Sequence, residues 1–552
     1  MGHYLSLLLA LPACGAAGVL CIPERRASIV KAAARAVAGA TVLLALPLWT
    51  WYRPTDPEFQ LVERFSQVPM LGAGYSVGID GISLVFVLLA ATLGLVATLL
   101  PLGTATGRIK SYDKRYYAAL LMHEAALLGA FLALDTLLFA VCWLVALFTM
   151  WRLISTSGAG SRAATSRFTL WSAVSFVAVL VGVVTMAVLA RQVNGAGGFD
   201  ITALQKLSVS PGLQAWISAT FLVGFIAAMS LVPFRGWLPD ALCEAPPGAA
   251  VMLSGVLVRV GAFGLVRFTL PLVPDAVRTV SPYIAGLAVA AVVLTAILAV
   301  RQSDWLRVVG YLSMSQGAMT LLGLMTPMPG AVTGGVVLAV THGIASAAAI
   351  VAVGRVAARL GTRDVAAFRG LRPMLSTATL LAFIVAALSI ASPIASGWVG
   401  ESLIAAGVTA VHSRLWLAPA AFGGLLASGW VAMRGYQVFY AKPRLSSADL
   451  KPLAPRLAEA GALSMVTLVA LWTGLQPDSI VSRVHLPALK VAARVDSRFE
   501  AEFLAACDTT VTPELKAASA ANQFLAAAPC GPDGKPLALP PEASSTSVTG
   551  AP

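Results

Sequence analysis

Five ionisable residues lie inside long apolar runs of this sequence, where such side chains are rare. His123 and Glu124 stand together in LLMHEAALLGAF, Arg259 in LSGVLVRVGAFG, His342 in LAVTHGIASAA and Glu401 in SGWVGESLIAAG. A charged side chain at the bilayer centre costs roughly 2.5–3.5 kcal/mol by insertion scales, so these residues normally face a bundle interior or a hydrated cavity. Because histidine and glutamate exchange protons in such places, the pattern indicates an ion or proton pathway.

Each of these residues also has a purely structural interpretation. A single intramembrane histidine is often a packing residue held by hydrogen bonds, and that interpretation stays open for His342. Arg259 is about twelve residues from each end of its apolar run, too far for its guanidinium to reach the membrane surface. Since arginine is effectively never deprotonated, Arg259 is expected to set the local electric field and not to carry a proton itself.

Prolines interrupt two of the apolar runs. Pro233 and Pro239 surround the end of one run, and Pro393 lies in the middle of SIASPIASGWVGESLI. Proline removes a helical hydrogen bond, and unpaired backbone at membrane depth is tolerated only beside protein or water. Two interrupted segments separated by five runs are typical of a transporter built from repeats, with its ion path between them. Ordinary proline kinks are the alternative.

The elements that must position these residues are membrane-spanning helices. Of the 552 residues, 58% are hydrophobic and 11% are charged, which excludes a soluble enzyme. Apolar runs of about 20 residues recur about fourteen times between residues 4 and 476. The sequence therefore predicts an all-α, polytopic membrane protein with about 14 transmembrane helices.

The net charge of +13 comes mainly from the loops. Lys and Arg cluster after the first, third, fifth, ninth, eleventh and thirteenth runs, whereas the other connections are short, acidic or mixed. By the positive-inside rule the basic loops are cytoplasmic, so both termini are predicted to lie outside the cytoplasm, in a multi-pass protein of the cell inner (plasma) membrane. The positive charge therefore does not indicate nucleic-acid binding.

The chain divides into five regions. Residues 1–80 hold two helices and an outer loop, 81–270 and 281–440 hold the runs with the charged residues, 441–476 hold the last helix, and 477–552 form an extracytoplasmic, partly disordered tail. Cys507 and Cys530 of the tail would meet an oxidising compartment, which makes a disulfide between them an expectation. The sequence has no phosphate-binding glycine loop and no metal-spaced Cys/His set, so we expect no metal or redox cofactor on this chain.

Several longer motifs resemble those of a known family. PFRGWLPDALCEAPPGAAVMLSGVLVRVGAFGLVRF, SDWLRVVGYLSMSQGA, THGIASAA, GTRDVAAFRGLRP, SGWVGESLI and FLALDTLLF are similar, in order and spacing, to landmarks of the antiporter-like, proton-translocating membrane subunits of respiratory complex I, the NADH–quinone oxidoreductase. The resemblance covers about residues 80–440 and is strongest to the M (chain 4) branch. Related subunits occur in membrane-bound hydrogenases and in multisubunit cation/proton antiporters.

The resemblance implies a fold and a function. It implies two inverted five-helix repeats, at 81–270 and 281–440, discontinuous helices 7 and 12, and a mid-membrane proton path. Arg259 falls on the central basic residue of helix 8, His342 on the His-Gly of helix 11, and Glu401 on the charged position of helix 12. The implied function couples electron transfer to proton translocation, in a lipid bilayer, beside other membrane subunits of a complex whose partner chains carry NADH, FMN, Fe–S clusters and quinone.

This sequence departs from the family pattern where the path normally begins. Leu144 stands where the family has a Glu on helix 5, Ala228 stands where it has a Lys on helix 7, and Arg235 replaces the His of the following motif. Glu124 lies about 15 Å from the turn that joins helices 4 and 5, the same depth as Leu144, at about 1.5 Å per residue. A rerouted entry through Glu124, with His123 at the same level, is therefore one hypothesis.

Two alternatives stay open. The chain is a structural spacer that no longer pumps, which the loss of the usual Glu and Lys favours, or it is a subunit of a cation/proton antiporter or another ion-coupled complex. The retained set of Arg259, His342 and Glu401 argues against complete loss of transport. The shared module cannot identify the driving reaction.

Overall fold

The structure is a computed structural model that describes residues 3–68, 73–100, 114–155, 161–194, 198–372, 379, 396–412, 414–442, 457–499 and 503. Pro393, Cys507 and Cys530 lie outside these residues, so the break of helix 12 and the tail disulfide stay predictions. Of the residues that the structure describes, 83% are helical, which confirms the predicted class.

Long helices succeed one another along the chain. They are α1 Tyr4–Cys21, α2 Ala27–Trp51, α3 Gly81–Leu99, α4 Lys114–Leu132, α5 Thr136–Ser155, α6 Arg162–Asn194, α7 Pro211–Ala228, α8 Trp237–Glu244, α9 Pro247–Leu272, α10 Pro274–Val300, α11 Trp305–Leu324, α12 Pro329–Leu360, α13 Ser396–Val411, α14 Leu417–Tyr440, α15 Leu457–Leu475 and α16 Asp478–Val495. Ten of the described helices are long and apolar enough to cross a membrane. The chain is therefore a multi-pass membrane protein, while the total of about fourteen crossings and the inverted repeats stay predictions.

Two elements outside the predicted spans are also ordered. Strands β1 (Gln60–Val68) and β2 (Ala73–Ile79) form an antiparallel hairpin in the region expected to be an outer loop. Helix α16, in the region assigned to the tail, is amphipathic and buries Ile480, Val484 and Ala488 against the bundle. Its Arg483 guanidinium lies 3.7 Å from the centre of the Trp49 ring at the end of α2.

The predicted interruption of helix 7 is present in the structure. Helix α7 ends at Ala228 and α8 begins at Trp237, with Pro233 in the irregular stretch between them. Gly236, directly before α8, has a φ of +101°, a left-handed conformation that favours glycine. Pro239 is not part of the break, because it lies in the first turn of α8, where proline is tolerated.

Two central helices, α9 and α12, are buried on all sides. They approach each other at Gly255 and Gly343, where a Cβ atom on Gly343 would lie 2.5 Å from the carbonyl oxygen of Gly255. Glycine at both positions lets the two backbones pack closely, as small residues do in membrane helix pairs. This crossing brings the neighbouring side chains of the two helices together.

Ion pairs connect helices and loops at one end of the helix bundle. Asp240 of α8 pairs with Arg167 and, at 3.2 Å, with Arg307, while Asp304 pairs with Arg363 at 3.0 Å. Asp240 therefore has structural partners outside the interior. The sequence analysis predicts that these arginines lie at the cytoplasmic side, and Arg167 and Arg307 lie within the first two turns of α6 and α11.

Candidate functional site

Arg259 lies at the centre of α9 and is completely buried. Its Nη2 donates to the carbonyl oxygen of Ser254 at 3.4 Å, whereas Nε and Nη1 have no hydrogen-bond partner among the described residues. The π-helical segment Leu253–Leu257 directly precedes it. Such segments disturb the regular helical hydrogen bonding and are frequent at functional sites.

Two serine hydroxyls connect α9 with α11 and α12. The Ser254 and Ser313 hydroxyl oxygens are 2.9 Å apart, and Ser313 Oγ is 3.3 Å from His342 Nε2. Ser254 and His342 each directly precede one of the glycines of the Gly255–Gly343 crossing, and Ser313 contacts both side chains. Arg259 and His342 thus share one polar cluster, as the sequence suggested.

Glu401 joins this region through α11. Its Oε1 accepts a hydrogen bond from Gln316 Nε2 at 3.0 Å. Gln316 is three residues after Ser313, so both side chains lie on the same face of α11. We call the six residues of this region the inner polar chain; they are Arg259, Ser254, Ser313, His342, Gln316 and Glu401.

The inner polar chain contains three of the five predicted residues and three that sequence reasoning missed. Ser254, Ser313 and Gln316 interrupt apolar runs in LSGVL and YLSMSQG, and this is the only signal that marks them. Several of its buried atoms, including His342 Nδ1 and Gln316 Oε1, have no hydrogen-bond partner within the described part of the chain. Buried polar atoms of this kind are usually satisfied by ordered water.

His123 and Glu124 lie apart from the inner polar chain. His123 Nδ1 is 3.0 Å from the Ala146 carbonyl oxygen and 2.9 Å from Thr149 Oγ1, both on α5. Since a carbonyl oxygen only accepts, Nδ1 carries a proton and His123 ties α4 to α5. Glu124 points to α3, where a Cβ on Gly94 would lie 2.5 Å from its carboxyl carbon, and its Oε1 is unpartnered among the described residues.

The positions of the missing Glu and Lys are filled by apolar groups. Leu144 is 48% exposed and faces away from the interior, whereas the preceding Trp143 points inward. Trp143 and Ala228 line the same cavity of about 10 Å³, room for about one water molecule. The interior on this side of α5 is therefore occupied by Trp143, the residue directly before Leu144.

A cluster of buried aromatic rings surrounds Trp143. We call it the aromatic core; its members are Phe86, Phe131, Phe139, Trp143, Phe225, Phe263 and Phe268. Ring centres are 4.5 Å apart for Phe139 and Phe268 and 6.0 Å apart for Trp143 and Phe225. The core joins α3, α4, α5, α7 and α9, and it leaves little room for water.

A buried ion pair lies at one end of the aromatic core. Arg267 of α9 donates to both carboxylate oxygens of Asp80, at 2.8 and 2.7 Å, and to Ser83 Oγ at 2.7 Å. Burial alone would raise the pKa of Asp80, but the adjacent guanidinium lowers it below its usual value. The pair therefore stabilises the folded chain at neutral pH and loses its contribution only as the pH falls through the lowered pKa.

Comparison with known proteins places this geometry in a family. Residues 124–427, more than half of the chain, match the family described as NADH:quinone oxidoreductase/Mrp antiporter, transmembrane. Subunit M of the NADH-quinone oxidoreductase of Mycobacterium tuberculosis is 31% identical over 461 residues, 76% of this chain and 81% of that protein. The chain belongs to this antiporter-like family. Subunit M of Rhodobacter capsulatus is 28% identical over 506 residues, 88% of this chain and 95% of that protein.

Solved structures show the same antiporter-like fold. A chain of respiratory complex I from Thermus thermophilus with bound NADH superposes with a TM-score of 0.79 at 24% identity, over 89% of this chain and all of that one. A chain of the Mrp complex from Dietzia sp. gives 0.74 at 20% identity, over 90% of this chain and 98% of that one. Within the described residues, no group of three His, Cys, Asp or Glu side chains could hold a metal ion.

Proposed function

We propose that this chain is a proton-translocating membrane subunit of an NADH–quinone oxidoreductase-type complex. The observation that carries the proposal is the inner polar chain, which links titratable His342 and Glu401 to α11 and to Arg259 across four helices. Members of such a set bind and release protons when the local potential changes. The similarity to subunit M over most of the chain supports the same assignment.

Five of the six residues of the inner polar chain have an assigned role in this proposal. Arg259 stays charged and sets the potential at His342, since a fixed charge acts strongly in a low-dielectric interior. His342 and Glu401 exchange protons. The Ser254 and Ser313 hydroxyls, which both donate and accept, relay protons between α9 and α12 together with internal water.

The proposal also includes the membrane, the orientation and the partner subunits of this protein. The chain sits in the cell inner (plasma) membrane among other membrane subunits, with both termini outside the cytoplasm. NADH, FMN, Fe–S clusters and quinone bind to partner subunits. Support comes from the distribution of basic loops and from the names of the relatives.

Proton entry in this proposal avoids the aromatic core and starts at Glu124. The support is a buried carboxylate with an unpartnered oxygen at the depth of the family's missing Glu. Glu124→Gln in the purified complex, reconstituted into vesicles, should lower the number of protons moved per NADH oxidised. Thr149→Val, which removes a partner of neighbouring His123, serves as control. An unchanged ratio in Glu124→Gln would exclude this entry.

Two other functions have specific support. The aromatic core favours a non-pumping structural spacer, and the similarity to the Mrp complex favours a cation/proton antiporter subunit. Affinity purification of the tagged chain from its native membrane separates the three. Copurification with quinone- and NADH-binding subunits, together with proton pumping that depends on the inner polar chain, supports our proposal. Copurification with antiporter subunits alone would contradict our proposal. Proton pumping that is unchanged by substitutions in the inner polar chain would contradict it as well.

A further inference from the structure

A polar groove lies where α5 ends and α6 begins. It has a volume of about 760 Å³ and is lined by Trp151 and Ser155 of α5 and by Arg162, Thr165, Ser166 and Thr169 of α6. The α6 residues follow helical spacing, so they share one face of the helix. The groove residues are far in sequence from the inner polar chain. None of the six residues of the inner polar chain lines the groove.

The groove is positively charged without internal compensation. No Asp or Glu occurs between residues 136 and 199, whereas Arg162 lines the groove and Arg152 directly follows Trp151, which also lines it. Neither arginine forms an ion pair within the described part of the chain, while the neighbouring Arg167 is paired with Asp240. The free cations therefore attract an anion from outside the chain.

The hydroxyl groups suit an anion with several acceptor oxygens. Thr165 Oγ1 is buried and has no hydrogen-bond partner among the described residues. The Thr169 and Ser155 hydroxyls donate to backbone carbonyl oxygens of their own helices, at 2.8 and 2.9 Å. These hydrogen bonds fix the orientation of the two side chains that line the groove. A guanidinium with an adjacent free hydroxyl matches the geometry of a phosphate group.

The surface beside the groove is apolar. Both helices expose large hydrophobic side chains on their outer faces, namely Val141, Leu144 and Phe148 of α5 and Leu170, Val177 and Val181 of α6. Trp151 stands between this surface and the polar groove, as aromatic residues do at the level of lipid headgroups. A bound phosphate would thus have hydrocarbon surface directly below it.

We propose that this groove binds the phosphate of an anionic phospholipid whose acyl chains lie along the outer faces of α5 and α6. Basic pockets between membrane helices on the cytoplasmic side recognise such headgroups. Free inorganic phosphate would use the same cations and hydroxyl but not the apolar faces. The site does not depend on whether the chain moves protons.

The test is photolabelling of the intact complex in lipid nanodiscs. Phosphatidylglycerol or phosphatidylcholine carries a photoreactive group close to the glycerol, and labelled peptides from residues 141–170 are quantified by mass spectrometry. We expect phosphatidylglycerol to label this segment more than phosphatidylcholine does. Arg162→Gln should lower that labelling about fivefold, the effect of losing one cation at an anionic surface.

Two further variants control for folding and position. Thr165→Val removes the free hydroxyl without changing the side-chain shape and should lower labelling by a smaller factor. Arg191→Gln removes an exposed cation in the last turn of the same helix and should leave labelling unchanged. Equal labelling by both lipids or by the Arg162→Gln complex would overturn the proposal. Displacement of the lipid by inorganic phosphate alone, or crosslinks to a partner polypeptide in place of lipid, would overturn it as well.

Discussion

The interior around Trp143 and the interior around Ser313 are both buried, with only Glu401 of the second partly exposed, but they are built from opposite kinds of side chain. The first holds seven aromatic rings in contact and a cavity of about 10 Å³. The second holds a guanidinium, two hydroxyls, an imidazole, an amide and a carboxylate, several of them incompletely hydrogen-bonded. An aromatic interior excludes water and stabilises the fold, whereas unsatisfied polar atoms in a membrane interior require water or a functional reason.

Two arginines of α9 differ in the same way, since one has several hydrogen-bond and aromatic partners and the other has almost none. Arg267 has a carboxylate, a hydroxyl and two aromatic rings around it, at one end of the aromatic core. Arg259, two turns earlier, has a single weak hydrogen bond, to a carbonyl oxygen, among the described residues. A paired buried charge fixes structure, whereas an unpaired one destabilises it and is retained for a functional effect. In the proposed function, the aromatic core therefore stabilises the fold and the inner polar chain carries the transport.

The largest effect on transport is expected at Arg259. Arg259→Met removes the fixed charge while filling a similar volume, so proton pumping per NADH should fall at least about tenfold. The thermal stability of the complex should stay equal or rise, because an unpaired buried charge is lost. Pumping assays in proteoliposomes and thermal unfolding measure both effects. Normal pumping with lowered stability would reverse the assignment.

The opposite result is expected for the Asp80–Arg267 pair. Asp80→Asn leaves Arg267 buried without a counter-charge and should cost about 3–5 kcal/mol, which lowers the amount of assembled complex. The complex that does assemble should keep its proton-to-NADH ratio. The double variant Asp80→Asn with Arg267→Met should recover part of the assembly. A lowered ratio in assembled complex would show that this pair takes part in transport.

Substitution of Ser313 tests whether its hydroxyl relays protons or only contributes to packing. Ser313→Ala breaks both the bond to Ser254 and the bond to His342, so pumping should fall several-fold while assembly is unchanged. Ser315→Ala is the matched control, since Ser315 donates only to the Val292 carbonyl oxygen, outside the inner polar chain. Equal pumping in the two variants would remove Ser313 from the path.

The smallest effect on transport is expected in the aromatic core. Trp143→Phe keeps a ring in place and should leave the proton-to-NADH ratio unchanged, with a small loss of stability from the reduced packing. Pumping and thermal unfolding of the same preparation check this outcome. A large loss of pumping would show that protons pass close to Trp143 after all.

The sequence predicted the titratable residues better than the contacts between them. Arg259, His342 and Glu401 are visible because a charge in an apolar run is rare, but Ser254, Ser313 and Gln316 are ordinary polar residues of membrane helices. Their contacts depend on the packing of α11 against α9, α12 and α13, which no local pattern shows. That Leu144 stands at the position of the family's Glu stays a prediction, and its side chain faces away from the interior.

Elements near the membrane surface were harder to predict than the spans. The hairpin β1–β2 and helix α16 have no long apolar run, so hydropathy gives no signal for them. Helix α16 is amphipathic, and its apolar face is recognisable as buried only once the bundle ends that it covers are known. The break between α7 and α8 was predicted from Pro233 and Pro239, but only Pro233 lies in the irregular stretch, which ends at Gly236 with its left-handed φ.

The most direct test of the account is the proton-to-NADH ratio of a Glu401→Gln complex in sealed proteoliposomes. Glutamine can still accept the hydrogen bond from Gln316 through its amide oxygen, so the packing is kept while the titratable proton is lost. The account predicts a normally assembled complex whose proton pumping falls at least about tenfold. An unchanged ratio would contradict the claim that the inner polar chain carries the protons.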